Sequence, residues 1–462
     1  MPMPRLSKTH LILIASGLGV LLLGVALAIA FRSASSPPVD LTGLSPQGLD
    51  LEMFDGSLEM LKRHSSPVRN DAGNDYVSLW EAARKELDEP AWTKLLGRDV
   101  MASDVFDAYI EPGEPTELGF SSPAPSREKL TEAMRAAQSA HAKLLASLRA
   151  LTPRPAHLPM KWDTLDDLIG FNAPPVIAVV KFVTAIARLQ LEEGQADEAL
   201  LTLNDGLTIA ERLQQSRALI PVLVANATEK LVQEQLRVAV RDHRLNMEQL
   251  RRADAMLMRV DAARPPVSDT WRAEYITFVR SVEEVQKDKD VNATKKAFGI
   301  NLAGNLLIAE MATGSRIYRR VIESVDLPLA QAQAELDAVQ KDLDAISAQN
   351  KSAGYSPGIL LTIVFPNLAS INSHRGRIVA GSRGTRVSIA IEMLRLTSGE
   401  ANPPARLPGG VNVVDPFSGQ PLRYQPSGQH YRLWSVGPDG KDDGGKSAGD
   451  DPPDDVLWPP GG

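Results

Sequence analysis

The residues best suited to chemistry lie near the end of the chain, in Tyr431–Gly445, "YRLWSVGPDGKDDGG". A run of alternating side chains breaks there into an acidic, glycine-rich loop. Asp439, Asp442, Asp443, Asp450, Asp451, Asp454 and Asp455 crowd seven carboxylates into seventeen residues, against only Lys441 and Lys446. A hard cation such as Ca²⁺ takes about six to eight oxygens from a flexible loop, and glycine lets backbone carbonyls turn inward. Binding would also relieve the mutual repulsion of the carboxylates. The spacing is not that of an EF-hand. The same residues also read as a solvated acidic loop, which is what most charge runs are.

Other chemistries find little to work with. The seven histidines, His10, His64, His141, His157, His243, His374 and His430, are scattered, with no HExxH and no close pair, so structural or surface roles are expected. The chain has no cysteine, which excludes disulfides, thiolate catalysis and Cys-ligated metals. "GSRGTR" at Gly381–Arg386 lacks the lysine and spacing of a phosphate-binding loop and is expected to cap the helix that follows. Neither a nucleophile elbow nor a dinucleotide fingerprint stands in strand-turn-helix context. Arg375, Arg377, Arg383 and Arg386 form a small basic cluster able to meet an acidic partner or the Asp-rich loop, or simply to stay solvated. A net charge of −7 offers nucleic acid no clustered basic surface, so DNA and RNA are set aside as partners. No catalytic constellation emerges, and the expectation is a protein that is not an enzyme.

The elements that carry these residues begin with an apolar run. From Leu11 to Ala30 twenty consecutive residues bear no charge, enough to cross about 30 Å of hydrocarbon. Arg5 and Lys8 precede the run; after Arg32 the next basic residue is Lys62. That bias predicts a cytoplasmic N-terminus and a single-pass protein of the bacterial inner (cytoplasmic) membrane, its bulk periplasmic. A cleaved signal peptide is the competing reading, because "ALAIA" supplies small residues at cleavage spacing, although the run exceeds a normal signal core of about 7–15 residues. Without a cysteine after it, a lipoprotein is excluded. "SASSPPV" then reads as a linker, followed by mixed chain with one helix expected around Tyr76–Leu87.

From Glu128 onward the periodicity is helical, after a cap at Ser126. Between Pro174 and Asp261 short breakers separate successive helices. Gly194 divides two amphipathic runs, and Ala187, Ala199, Leu203 and Gly206 give them small-residue faces. This stretch resembles one tetratricopeptide unit, with Ala196 where that pattern usually has an aromatic; an ordinary helical hairpin fits equally well. Leu329, Ala332, Leu336, Val339, Leu343 and Ile346 form a short a/d seam, expected to pack within the chain. "ILLTIVF" at Ile359–Phe365 is too short to span a membrane and reads as core. Helical periodicity returns at "TRVSIAIEMLRL".

Beyond "SGEANPPARLPGG" the chain changes character. Leu422–Gln425 and His430–Val436 read as strands flanking "PSG", a β-hairpin. The order helix, proline-bearing loop, "DPFSGQPLRY", "HYRLWSVGPDGKDDGG" and "DDVLW" resembles the C-terminal half of the type II secretion major pseudopilin, over roughly Arg377–Trp458. That resemblance implies a calcium-binding loop after the last strand. Asp439 matches its first aspartate and Asp450–Asp451 its later acidic pair, with Asp442 and Asp443 as competing positions. The N-terminus lacks the prepilin processing pattern, so the resemblance implies a borrowed module rather than a filament subunit. The expected layout is a basic N-terminus (1–10), a membrane helix (11–31), a linker and mixed irregular region (32–127), a helical domain (128–350), helices leading to the tail (351–400) and a hairpin with its acidic loop (401–462). The whole is a mainly α protein with a small C-terminal α+β module, similar in layout to membrane-anchored bacterial envelope proteins. Its expected role is a scaffold or interaction module with partners unknown. Two alternatives stand beside it: an accessory of a type II secretion or type IV pilus-like system that docks pseudopilins, and a periplasmic hydrolase with its site in the helical region.

Overall fold

Leucine, alanine and valine at helical spacing dominate the regular structure. The computed structural model describes residues 40–65, 87, 102–110, 125–152, 160, 162–163, 173–287, 305–353, 361, 368–411, 413–445 and 456–458. Among them are twelve α-helices and one three-stranded antiparallel sheet near the C-terminal end. The mainly helical class with a small C-terminal α+β part is therefore observed; residues 11–31 lie outside the described residues, as does all but Leu87 of the helix expected around Tyr76–Leu87.

The region 32–127, read above as linker and irregular chain, contributes two packed helices, α1 (Leu51–Ser65) and α2 (Ala102–Ile110). Asp55, Gly56 and Ser57 are poor helix formers at the centre of α1; burial of Met53, Ser57 and Leu61 overrides them. Asp50 caps the helix by accepting from the Met53 N–H at 3.0 Å, and Arg319 Nε donates to the same carboxylate at 2.6 Å. From α2, Val105, Phe106 and Tyr109 enter the largest core.

Ser126 caps α3 (Arg127–Ala140) as its sequence predicts, and α4 (Ala142–Leu151) follows directly. The central hairpin is α5 (Ala173–Glu192) and α6 (Ala196–Gln215). Gly194 adopts φ 77° between them while Gln195 N–H bonds to Gln190 O and Gly194 N–H to Leu191 O, a Schellman ending that only a residue free of Cβ strain makes cheaply. Gly206 faces Val232 and Val183, so the small-residue face seen in sequence is a real close contact among α5, α6 and α7 (Leu219–Arg241). Among the described residues α5 alone is long and apolar enough to cross a membrane, yet 78% of its apolar window is buried inside the protein, as in a core helix. α8 (Met247–Ala263) completes this half.

A second core is aromatic. α9 (Val267–Lys287) brings Trp271, Tyr275 and Phe278 against Tyr318 of α10 (Asn305–Ser324). α11 (Leu329–Ala353) lays Leu336, Val339 and Leu343 of its seam into that same core, so the seam packs within the chain. Of "ILLTIVF", Leu361 is described, helical and fully buried.

α12 (Leu368–Ser398) runs unbroken for 31 residues, and "GSRGTR" sits inside it rather than capping a new helix. The sequence misleads because Ala380, Ser382, Thr385, Val387, Ser388 and Ile391 are all buried, so no single apolar stripe marks the helix. Gly381 admits Gln233 of α7 to a place where a Cβ would stand 2.4 Å from its Oε1. After α12, β1 (Arg423–Ser427) and β2 (His430–Ser435) form the expected hairpin, with Ser427 opposite His430 and β3 (Val456–Trp458) on the far side of β2. Pro426 and Ser427 belong to β1, and the two-residue turn is Gly428–Gln429.

Candidate functional site

The junction of α12 with the C-terminal module gathers the most unusual polar geometry. Its keystone is Asp415 of "DPFSG", whose side chain is wholly buried. Oδ1 accepts from Phe417 N–H and Ser435 Oγ, both at 2.9 Å, and Oδ2 accepts from Val436 N–H at 2.9 Å. One carboxylate thereby holds the turn against the end of β2. The turn swings Phe417 onto Gly376 of α12, where a Cβ would lie 2.5 Å from the ring. Phe417, Leu422, Leu433 and Val436 then share a core with Ala380, Val387 and Ile391 of α12.

Beside Phe417 a cavity of about 380 Å³ opens to solvent. Val267, Leu327, Val379 and Phe417 contribute apolar walls; Arg375, Arg383, Asp326 and Asp415 contribute charge. Both carboxylates already have partners. Asp326 accepts from Val267 N–H at 2.7 Å and from Ser268 N–H, capping α9. The arginines are less well supplied. Arg383 donates to Val414 O at 2.6 Å, and burial lowers its pKa. Among the described residues Arg375 donates to Pro265 O alone, at 3.4 Å, and forms no ion pair. Burial, followed by the charge of Arg264, pushes its pKa down to about 10, which leaves it cationic at neutral pH.

Behind Arg375 lies a satisfied ionic network. Arg264 grips Glu229 with two bonds of 2.8 and 2.9 Å and reaches Asp261 at 3.0 Å; Gln214 and Ser382 fill further acceptors at 3.0 and 2.7 Å. Burial alone would lower the Arg264 pKa, and the two carboxylates more than offset it. Of the arginine cluster seen in sequence, Arg375 and Arg383 line the cavity together, whereas Arg386 pairs with Asp254 at 2.7 Å.

The proposed calcium residues divide. Asp439 accepts from Lys441 N–H at 2.8 Å and meets the Lys441 ammonium at 3.1 Å. Asp442 accepts from Trp434 Nε1 and Gly444 N–H and pairs with Arg423 Nε at 2.9 Å, stapling the loop to the hairpin. Asp443 is exposed, and Asp450, Asp451, Asp454 and Asp455 lie outside the described residues. Among the described residues no group of three or more His, Asp or Glu is arranged to hold a metal ion. The described half of the loop thus fits internal hydrogen bonding better than a ready cation cradle. Of the histidines, His243 Nδ1 lies 3.0 Å from Glu392, and His10 and His157 lie outside the described residues.

Sequence inspection passed over Asp415, Asp326 and the Glu229–Arg264 pair. "DP" reads as turn punctuation, and no local spacing links residues that meet from α7, α8 and α12. Comparisons with family models, curated proteins and solved structures found no match to this chain.

Proposed function

We propose that the protein is a membrane-anchored, non-enzymatic scaffold that presents its pseudopilin-like C-terminal module to a protein partner in the envelope. The observation that carries this is the seating of the module: Asp415, Phe417 and α12 make the hairpin an extension of the helical body, with His430 and Arg432 exposed at its outer end. The apolar run 11–31 supplies the anchor, and pseudopilins are the partner class that the resemblance supports. The hairpin fits an interaction surface that needs rigid display more than chemistry.

The test is capture of pseudopilins by the full chain solubilised from membranes. Retention by the wild type, lost in His430→Glu/Arg432→Glu at unchanged thermal midpoint, supports the reading. Equal retention by both proteins, or none, counts against it. Calcium belongs to the same proposal through Asp439, Asp450 and Asp451. A rise in midpoint with millimolar Ca²⁺ that Asp439→Ala abolishes would make the ion a stabiliser of the displayed loop; a midpoint indifferent to calcium and chelator would count against a calcium site there.

A further inference from the structure

The cavity between α12 and the "DPFSG" turn carries more donors than the described residues satisfy. A guanidinium has five N–H donors and no acceptor. Arg375 gives one, over a long 3.4 Å contact, and Arg383 gives one to Val414 O. The neighbouring acids act on these cations through space rather than by direct bonds: Asp326 caps the start of α9, Asp415 holds Phe417, Ser435 and Val436, and Glu229 holds Arg264 and Gln214. Asp326 and Glu229 favour the Arg375 charge, and Asp415 that of Arg383. Arg264 stands behind Arg375 as a second positive charge. Arg375 and Arg383 are half-buried, and both line the cavity without an ion pair among the described residues.

The remaining walls are largely apolar, from Val267, Val325, Leu327, Val379 and Phe417, with Asn372 and Ser418 as polar exceptions. A volume of about 380 Å³ lies within the roughly 300–1,000 Å³ of small-molecule sites, which pair apolar walls with a few placed polar groups. We propose that this cavity binds a small organic anion, a carboxylate or phosphate on an apolar body, with Arg375 pairing with the oxyanion, Arg383 as the second cation of the lining, and Val379 and Phe417 covering the apolar part. The site is assembled from α12, the start of α9 and the module's turn, so an occupant would tie the module to the body. This inference is independent of which protein the module displays itself to.

The experiment is thermal unfolding of the full-length solubilised chain titrated with phenyl phosphate, phenylacetate, inorganic phosphate and neutral 2-phenylethanol. A saturable rise in midpoint with phenyl phosphate or phenylacetate, absent with 2-phenylethanol, is expected, and whichever acid acts at lower concentration identifies the head group. Arg375→Gln should weaken the response roughly tenfold or more, as loss of a charge-assisted bidentate contact does. Because it removes a cation beside Arg264, the variant should fold at least as stably as wild type without ligand. Val379→Phe fills the cavity without touching charge and should abolish the response independently. No saturable shift with either organic acid would overturn the proposal. So would a response unchanged in both variants, or one that inorganic phosphate reproduces in full, since the apolar walls would then have no role.

Discussion

Asp415 illustrates how much one buried carboxylate can organise. Three donors converge on it from two separate parts of the module, and removing it leaves all three buried without an acceptor. Asp415→Ala is expected to destabilise the protein by at least about 3 kcal/mol, on the scale of one to a few kcal/mol per orphaned group. Asp415→Asn, which keeps one acceptor oxygen, should fall between; denaturant midpoints of the three proteins check the order. Glu274 on α9 is the opposite case, a carboxyl whose pKa burial pushes up to about 7, tempered by a hydrogen bond from the Leu219 backbone. Between pH 4.5 and about 7 the unfolded chain has released the proton that the folded chain keeps, so stability falls as pH rises through that window. Glu274→Gln should flatten the fall and, above pH 7, add up to roughly 3 kcal/mol, since each tenfold difference in proton affinity between the folded and unfolded chain is worth about 1.4 kcal/mol. Unfolding midpoints at pH 4.5 and pH 8, in both proteins, measure it.

At the scale of elements, glycine shows how context decides the sign of a substitution. Gly376→Ala would drive a methyl into Phe417 and Leu329, at 2.5 and 2.8 Å. Overpacking of this kind costs about 1–3 kcal/mol, which exceeds the gain of up to about 1 kcal/mol in helix propensity. The variant should loosen the hairpin from α12 and raise its cleavage by limited proteolysis. Gly56 on α1 is exposed with nothing within 4 Å of its missing Cβ, so Gly56→Ala should stabilise by about 0.5–1 kcal/mol in the same assay series. The elements legible in sequence were those with a regular apolar pattern and a clear stop. The α5–α6 hairpin announces itself by a stripe and a glycine stop, the α11 seam by its threes and fours, and the β-hairpin by alternation around a turn. The first half of α12 hides because its glycines, serines and arginines form no apolar stripe, and α1 because its centre is made of poor helix formers. The cavity was legible only as a cluster of arginines. Which of them pair, as Arg386 does with Asp254, depends on residues more than a hundred positions away.

On the scale of the whole molecule, α12 packs against α7, α8, α11, β2 and β3 and joins three cores. Ile371 packs against the aromatic core, Ile389 lies in the core of α6, α7 and α8, and Val387 and Ile391 lie in the core of the module. Body and module should therefore unfold together. Thermal scans that follow Trp271 of the body and Trp434 of the module, each retained alone by replacing the other tryptophans with Phe, are expected to give coincident midpoints. A separate, earlier transition for Trp434 would show the module to be autonomous. At about 1.5 Å per residue, α12 is a rod of roughly 45 Å. A pull on the hairpin would reach α12 through the core that Phe417, Leu422, Leu433 and Val436 share with Ala380, Val387 and Ile391, and from there the cores that hold Ile371 and Ile389. Tension applied to the tail would thus be shared among three cores.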